Sequence, residues 1–214
     1  MNNKKFLLIA FIVIACVFVV IANLNKKQTE APTAKLVSSE VLIKVHSPIK
    51  GEQNAPVTIV EFLDPECEAC RAMHPIIKQL MNEYEGKVRL VIRYMPLHKN
   101  SMYAASVLEE AREQNKFEEA LDILFESQPV WGNHQAPRPD LIPTFLERLG
   151  ISKESLKPEV VIPKHTAKIE IDKTDGFSIG ANRTPTFFVN GLMLEEIGYT
   201  PIKVAIEEVL AAKD

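Results

Sequence analysis

The chain has 214 residues, 25 lysines and arginines against 28 aspartates and glutamates, and a formal net charge of −3. That balance provides no global basic field for nucleic acid, and its three cysteines are too few for a disulfide-stapled secreted scaffold. A hydrophobic content of 46% suits a globular core, and the length fits one domain carrying an insertion.

The N-terminus sets the expected compartment. Phe6 to Leu24 is an uninterrupted, uncharged and strongly apolar run. As a helix rising ~1.5 Å per residue it is about as long as one bilayer core is thick. Lys4 and Lys5 precede it and favour a cytoplasmic N-terminus over residues 1–5, although Lys26 and Lys27 lie on the other side. A signal peptide cut after Ala22 competes, and Val13-Ile-Ala-Cys16 resembles a lipobox. The run exceeds the usual ~7–15-residue apolar stretch of a signal peptide, and it continues past Cys16, where a lipoprotein turns polar. The expectation is therefore an uncleaved transmembrane helix over 6–24, with Cys16 as a small apolar filler. All three readings export the rest of the chain, which divides into a polar linker over 25–39 and a domain over 40–214.

Val41-Leu-Ile-Lys-Val-His46 is short and β-branched, and predicts a strand. Ser47 to Pro56 predicts a loop. Val57-Thr-Ile-Val-Glu-Phe-Leu63 predicts a strand, and its continuous apolar character implies burial on both faces. Asp64-Pro65-Glu66 breaks it. From Cys67 to about Tyr84 the apolar positions Met73, Ile76, Ile77, Leu80 and Met81 follow helical spacing. Val88 to Tyr94 predicts the next strand, completing a parallel βαβ unit.

A helical block comes next. Ser101 is read as the cap of a helix carrying Ala104, Ala105, Leu108 and Ala111. Leu121, Leu124 and Phe125 mark a second helix, and Trp131 to Arg138 a loop. Asp140 is read as the cap of a third helix through Leu149, with Pro143 in its first turn and Gly150 ending it. A further helix is predicted from Pro163 to about Phe177. Pro185 to Val189, the turn Asn190-Gly191 and Leu192 to Leu194 predict a β-hairpin. Thr200-Pro201 opens a closing amphipathic helix. The class is α/β: one sheet with a helical insertion between its two halves.

Cys67-Glu-Ala-Cys70 sits where a buried strand turns into a helix. Free amides and the dipole at a helix N-terminus favour a thiolate at Cys67. The spacing puts Cys70 one turn further in, able to close a small disulfide ring with Cys67. The outer thiol then attacks a substrate and the inner one resolves the mixed disulfide. Cys67 and Cys70, with His74 one helical turn beyond, could form half a zinc site, but a four-ligand structural site needs two more ligands than that half and no second cysteine pair exists, so no metal is expected. A purely structural disulfide closing so short a loop contributes ~2 kcal/mol or less. His74 is read as a surface or capping residue.

Three stretches carry a family resemblance: Ala55-Pro-Val-Thr-Ile-Val-Glu-Phe62 leading to Cys67 and Cys70, Arg93-Tyr-Met-Pro-Leu-His98, and Arg183-Thr-Pro-Thr-Phe-Phe-Val-Asn-Gly191. Over about residues 40–212 the sequence resembles the DsbA-like thiol–disulfide oxidoreductases of the thioredoxin superfamily. The resemblance implies a thioredoxin fold with a helical insertion at about 99–175. It aligns Pro185 with the cis-proline facing the redox pair, although only ~5–6% of X–Pro bonds in folded proteins are cis. Thr184 would then offer its backbone to an extended substrate, as in strand addition. Glu61 aligns with a buried acidic residue whose implied role is proton transfer for Cys70; the alternative is a partly solvated strand glutamate.

The implied enzyme exchanges dithiols and disulfides with cysteines of exported proteins, chiefly to form disulfides. It works on the periplasmic or cell-surface side, with a membrane partner that resets the pair and with no organic cofactor. A reductase or isomerase on the same fold is one alternative, and a non-enzymatic exported binding or chaperone protein with a structural disulfide is another. The acidic neighbours Asp64, Glu66 and Glu68 are expected to disfavour a thiolate. That predicts a weak oxidant, with a potential nearer ~−200 mV or below than ~−120 mV.

Overall fold

The structure, a computed structural model, describes residues 36–212. The expected membrane helix at 6–24, Cys16 and the linker as far as residue 35 lie outside the described residues. Among the described residues no helix is long and apolar enough to cross a membrane.

The elements in order are α1 (Ser39–Leu42), β1 (Ile49–Lys50), β2 (Val57–Leu63), α2 (Glu68–Glu83), β3 (Val88–Tyr94), α3 (Ser101–Glu113) and α4 (Phe117–Trp131). Then come α5 (Ile142–Phe145) between the 3-10 turns Pro139–Leu141 and Glu147–Leu149, α6 (Pro158–Ser178), β4 (Thr186–Val189), β5 (Leu192–Met193) and α7 (Tyr199–Ala211). The strands form one sheet in the order β1-β3-β2-β4-β5. β2 runs parallel to β3, with Val57 opposite Val88 and Leu63 opposite Tyr94. β4 runs antiparallel to β2, with Glu61 opposite Phe187. This is a thioredoxin-like sheet, with helices α3 to α6 inserted between β3 and β4.

β2 is the central strand, and its side chains alternate between two cores. Val57, Ile59 and Leu63 join the larger core, with α2, α7 and the insertion. Val60 and Phe62 join a smaller one with Leu42, Val91, Met95 and Phe188. By the same alternation Glu61 points to the larger core. α6 closes the smaller side. A Cβ at Gly176 would lie 2.3 Å from the Met95 methyl and 2.9 Å from the Phe62 ring, so a larger residue there requires these side chains to shift. A buried ion pair ties α6 to the sheet: Arg93 Nε lies 2.6 Å from Asp172, and its Nη2 lies 2.6 Å from Asp175.

Several sequence expectations are corrected. Val41 to His46 is not a strand. Its first residues end α1, and the edge strand is Ile49–Lys50, inside the predicted loop. Side chains rather than a ladder hold this segment: Arg93 donates to the Val41 carbonyl, and His46 bonds Asp172. The expected linker ends early, because the Val37 amide already donates to the Gly191 carbonyl. Asp140 pairs with Arg138 instead of capping one helix through Leu149, which is broken into short turns. Gly150 does take the left-handed conformation, with φ 67°. α6 starts at Pro158 and contains Pro163, because a proline at the first position lacks no needed donor. Gly198 precedes α7, two residues before the cap expected at Thr200. Asn100 takes the place before α3, which frees Ser101 for the site.

Candidate active site

Cys67 is the N-cap residue of α2, and its amide donates to the Asp64 carbonyl at 3.1 Å. The turn is held from the insertion: Gln128 Nε2 on α4 donates to the carbonyls of Pro65 at 2.8 Å and Cys67 at 3.0 Å. Cys67 and Cys70 are both free thiols here, the reduced form of the pair. Cys67 keeps 7% exposure and Cys70 none. Across the sequence the Thr184–Pro185 peptide is cis, and the Thr184 carbonyl oxygen lies 3.4 Å from Cys67 Sγ. The fold thus brings Cys67 and Thr184 into contact and puts Pro185 next in the chain.

The two thiols differ sharply. Hydrogen bonding from Cys70 does most to bring Cys67 down to about 5, against its own burial; Thr184 and the backbone amides of Cys70 and Ala69 add to it. Burial pushes Cys70 well above the usual thiol value, aided by its bond to Cys67 and by the charge of Glu61. One sulfur is therefore a thiolate at neutral pH and the other keeps its proton, which is the arrangement an attacking and a resolving thiol need.

Glu61 is buried, so the partly solvated alternative is excluded. Burial, then the Cys67 charge, raises its carboxyl to about 8. Its Oε1 atom has no hydrogen-bond partner among the described residues.

The acidic neighbours do not act as expected. Asp64 is fully buried and accepts from the Glu66 amide, Ser101 Oγ, the Leu97 amide and His98 Nδ1 at 2.5–2.8 Å. Glu66 accepts from the Asn100 amide at 2.6 Å and its side chain at 2.7 Å. Glu68 pairs with His134 at 2.6 Å. Burial works against the charge of His98, but the bond to Asp64, with the Asp64 and Cys67 charges, raises it overall. The carboxylates are thus spent on donors, and the expected rise at Cys67 is replaced by a fall. Sequence reasoning named Asp64, Glu66 and Glu68 only as charges. Their partners come from α3, α4 and the loops beside them, and spacing along the chain does not reveal them.

His74 is half-buried between α2 and α4, where its Nε2 lies 2.6 Å from Asp122. It neither caps a helix nor lies free on the surface. Glu110, Glu113 and His165 bring potential metal ligands within 4.8 Å of one another. Lys164 already bridges both carboxylates at 2.6 Å, so the cluster links α3 to α6.

The family model described as thioredoxin matches residues 44–208. The chain is 32% identical over 170 residues to the Na(+)/H(+) antiporter NhaA 3 of Salinispora tropica, a match covering 74% of the chain and 25% of that protein. The chain thus spans about a quarter of the length of the first such relatives. It is 29% identical over 189 residues to disulfide bond formation protein D of Bacillus subtilis, covering 83% of the chain and 82% of that protein. The crystal structure of oxidised BdbD from Bacillus subtilis superposes with a TM-score of 0.70 at 27% identity, covering 78% of the chain and 94% of that structure.

Proposed function

The chain belongs to the thioredoxin family, and on that premise we propose that it is a DsbA-like thiol–disulfide oxidoreductase acting on cysteines of exported proteins. The observation that carries the reading is the unequal pair: a thiolate-forming Cys67 beside Thr184, and a buried Cys70 beside Glu61. The similarity to disulfide bond formation protein D supports it over most of both lengths.

In the oxidising direction the pair starts as the Cys67–Cys70 disulfide. A substrate thiolate attacks Cys67 Sγ, and Cys70 leaves with the electron pair. Glu61, whose carboxyl is raised first of all by its burial, supplies the proton to Cys70. A second substrate thiol, deprotonated, then attacks the substrate sulfur of the mixed disulfide and releases Cys67 as thiolate. The substrate loses two electrons and the pair gains them. Every step runs backwards for reduction. A thiolate stabilised to about 5 favours the reduced pair, and so favours forming disulfides in substrates. Thr184 and Pro185 form the docking edge for an extended substrate segment.

The apolar run Phe6 to Leu24 supports placement outside the cytoplasm on a membrane tether, within reach of a membrane partner that resets the pair. Cys67→Ser is the discriminating variant: oxidative refolding and insulin reduction are lost while the fold persists. Unchanged activity in that variant overturns the reading and favours a binding protein. Cys70→Ala should accumulate mixed disulfides, which identifies substrates and partner.

A further inference from the structure

A cleft of about 410 Å³ opens beside the redox helix, between the first turn of α2 and the end of α4. Glu68 and Arg71 line it from α2, Gln128 from α4, and Asn133, His134 and Gln135 from the loop that follows. Gln128 also donates to the Cys67 carbonyl at 3.0 Å, so the wall of the cleft and the attacking thiol share one turn of chain. Thr184 and Pro185 do not line it. They lead into β4, whereas this cleft belongs to α2 and the insertion.

The polar groups of the cleft are unevenly matched. Its one carboxylate, Glu68, is taken by His134 at 2.6 Å. The Asn133 side-chain oxygen accepts from the Gln135 amide at 2.9 Å and the Ala136 amide at 3.0 Å. The half-buried Arg71 is left over: among the described residues its guanidinium has neither a hydrogen bond nor an ion pair. Glu68, three residues earlier on the same helix, would be its natural partner, and His134 holds that carboxylate away. What the cleft lacks is therefore an anion, and a guanidinium receives a carboxylate through two parallel hydrogen bonds. The spacing suits a docked segment. The Arg71 amide donates to the Cys67 carbonyl at 3.1 Å, which puts Arg71 one helical turn from Cys67, with Cβ atoms ~5–6 Å apart. In an extended substrate the residue two positions from the reacting cysteine points to the same face ~6.6 Å along the chain.

We propose that this cleft is a specificity subsite in which Arg71 receives the carboxylate of a glutamate or aspartate two positions from the reacting cysteine of a substrate, while the Thr184–Pro185 edge holds the segment's backbone. The subsite presupposes the thiol–disulfide reading of the Cys67–Cys70 pair and names the class of substrate sequence that the pair prefers.

The test is stopped-flow reaction of the reduced full-length protein with short peptides whose single cysteine carries a 2-thiopyridyl group. Cys67 Sγ attacks the peptide sulfur. The Cys67–peptide S–S bond forms, the S–S bond to the thiopyridine breaks, and thiopyridone leaves with the electron pair and is read by its absorbance. The peptides carry glutamate or glutamine two residues before the cysteine, two residues after it, or at a distant position. The glutamate-to-glutamine rate ratio within one protein cancels the reactivity of the thiolate itself. Wild type should show a ratio of about fivefold at one of the two near positions and about one at the distant position. Arg71→Gln should bring the near ratio to about one, and Arg71→Glu should invert it. His134→Ala releases Glu68 to pair with Arg71 and should also lower the ratio, which keeps the test if the Arg71 variants do not fold. A wild-type ratio within about twofold of one at both near positions overturns the subsite, and so does a preference that Arg71→Gln retains. Thiopyridone release no faster in wild type than in Cys67→Ser overturns the thiol–disulfide reading instead.

Discussion

Glu61→Gln in the reduced protein isolates the largest electrostatic strain at the site. A carboxyl whose folded value is raised keeps full stability below its unfolded value and loses it as pH rises towards the folded one. For Glu61 that window runs from 4.5 to about 8. Within it the folded protein holds a proton that the unfolded chain has released, at about 1.4 kcal/mol per pH unit. The wild type therefore forfeits roughly 5 kcal/mol across the window, as an order of magnitude. Cys67 works the other way. Its value is lowered from 9.0 to about 5, so its contribution is lost as pH falls towards 5. The two slopes oppose each other between about pH 5 and 8, and the reduced wild type should be nearly flat there as far as this site is concerned. Glu61→Gln removes one slope and leaves the other. Urea unfolding of both proteins under reducing conditions, at steps across this range, gives the difference, because every group not coupled to Glu61 cancels. The variant should gain about 3 kcal/mol or more relative to wild type from pH 5 to 8. A difference that stays within about 1 kcal/mol would mean that Glu61 ionises normally, and the proton-transfer role would lose its basis.

The Cys67 thiolate, followed by its ultraviolet absorbance, should titrate near 5 in the reduced protein and vanish in Cys67→Ser. Cys70→Ala should move that midpoint upward, because hydrogen bonding from Cys70 does most to lower it. Arg93→Leu leaves Asp172 buried without its guanidinium, with His46 and the Tyr94 amide as its remaining partners. Denaturant unfolding should show a loss of about 3–5 kcal/mol, with a near-normal Cys67 midpoint because the pair lies on the other side of the sheet.

The sheet and the redox pair were legible because they rest on local signals. The continuous apolar run of β2 announced a strand buried on both faces, and Asn190-Gly191 fixed the hairpin. The strand-to-helix switch put Cys67 at a helix N-terminus. Pro185 was legible only through the family resemblance, since no local pattern places it beside Cys67. What the sequence hid is held by contacts across long stretches of chain. Gln128 reaches back to Pro65 and Cys67, and Arg93 reaches Val41, Asp172 and Asp175. Val41 to His46 looked like a strand because β-branched, half-buried residues read alike whether a ladder or a guanidinium satisfies their carbonyls. Charge was misread for the same reason: a carboxylate count near Cys67 gives a field only when the donors facing each carboxylate are known.

Those donors decide the redox potential. Three acids flank the thiol, yet Ser101, Asn100, His98 and His134 meet their oxygens, and bonds aimed at the Cys67 sulfur outweigh what field remains. A thiolate value of about 5 falls between the ~7 of thioredoxin and the ~3.5 of DsbA. For a two-electron couple, each unit by which the thiol value falls below neutral stabilises the reduced form about tenfold and raises the potential by about 30 mV. Starting from ~−270 mV for thioredoxin, the stronger thiolate lifts the value to about −220 mV. Starting from ~−120 mV for DsbA, the weaker thiolate lowers it to about −165 mV. The acidic flanks thus lead to an intermediate oxidant for a reason opposite to repulsion: they are neutralised well enough to permit a thiolate, while no cation sits between the two cysteines to deepen it. Equilibration with glutathione buffers measures the value. A potential at or above about −120 mV, or at or below about −270 mV, would show that terms other than the Cys67 thiolate control this couple.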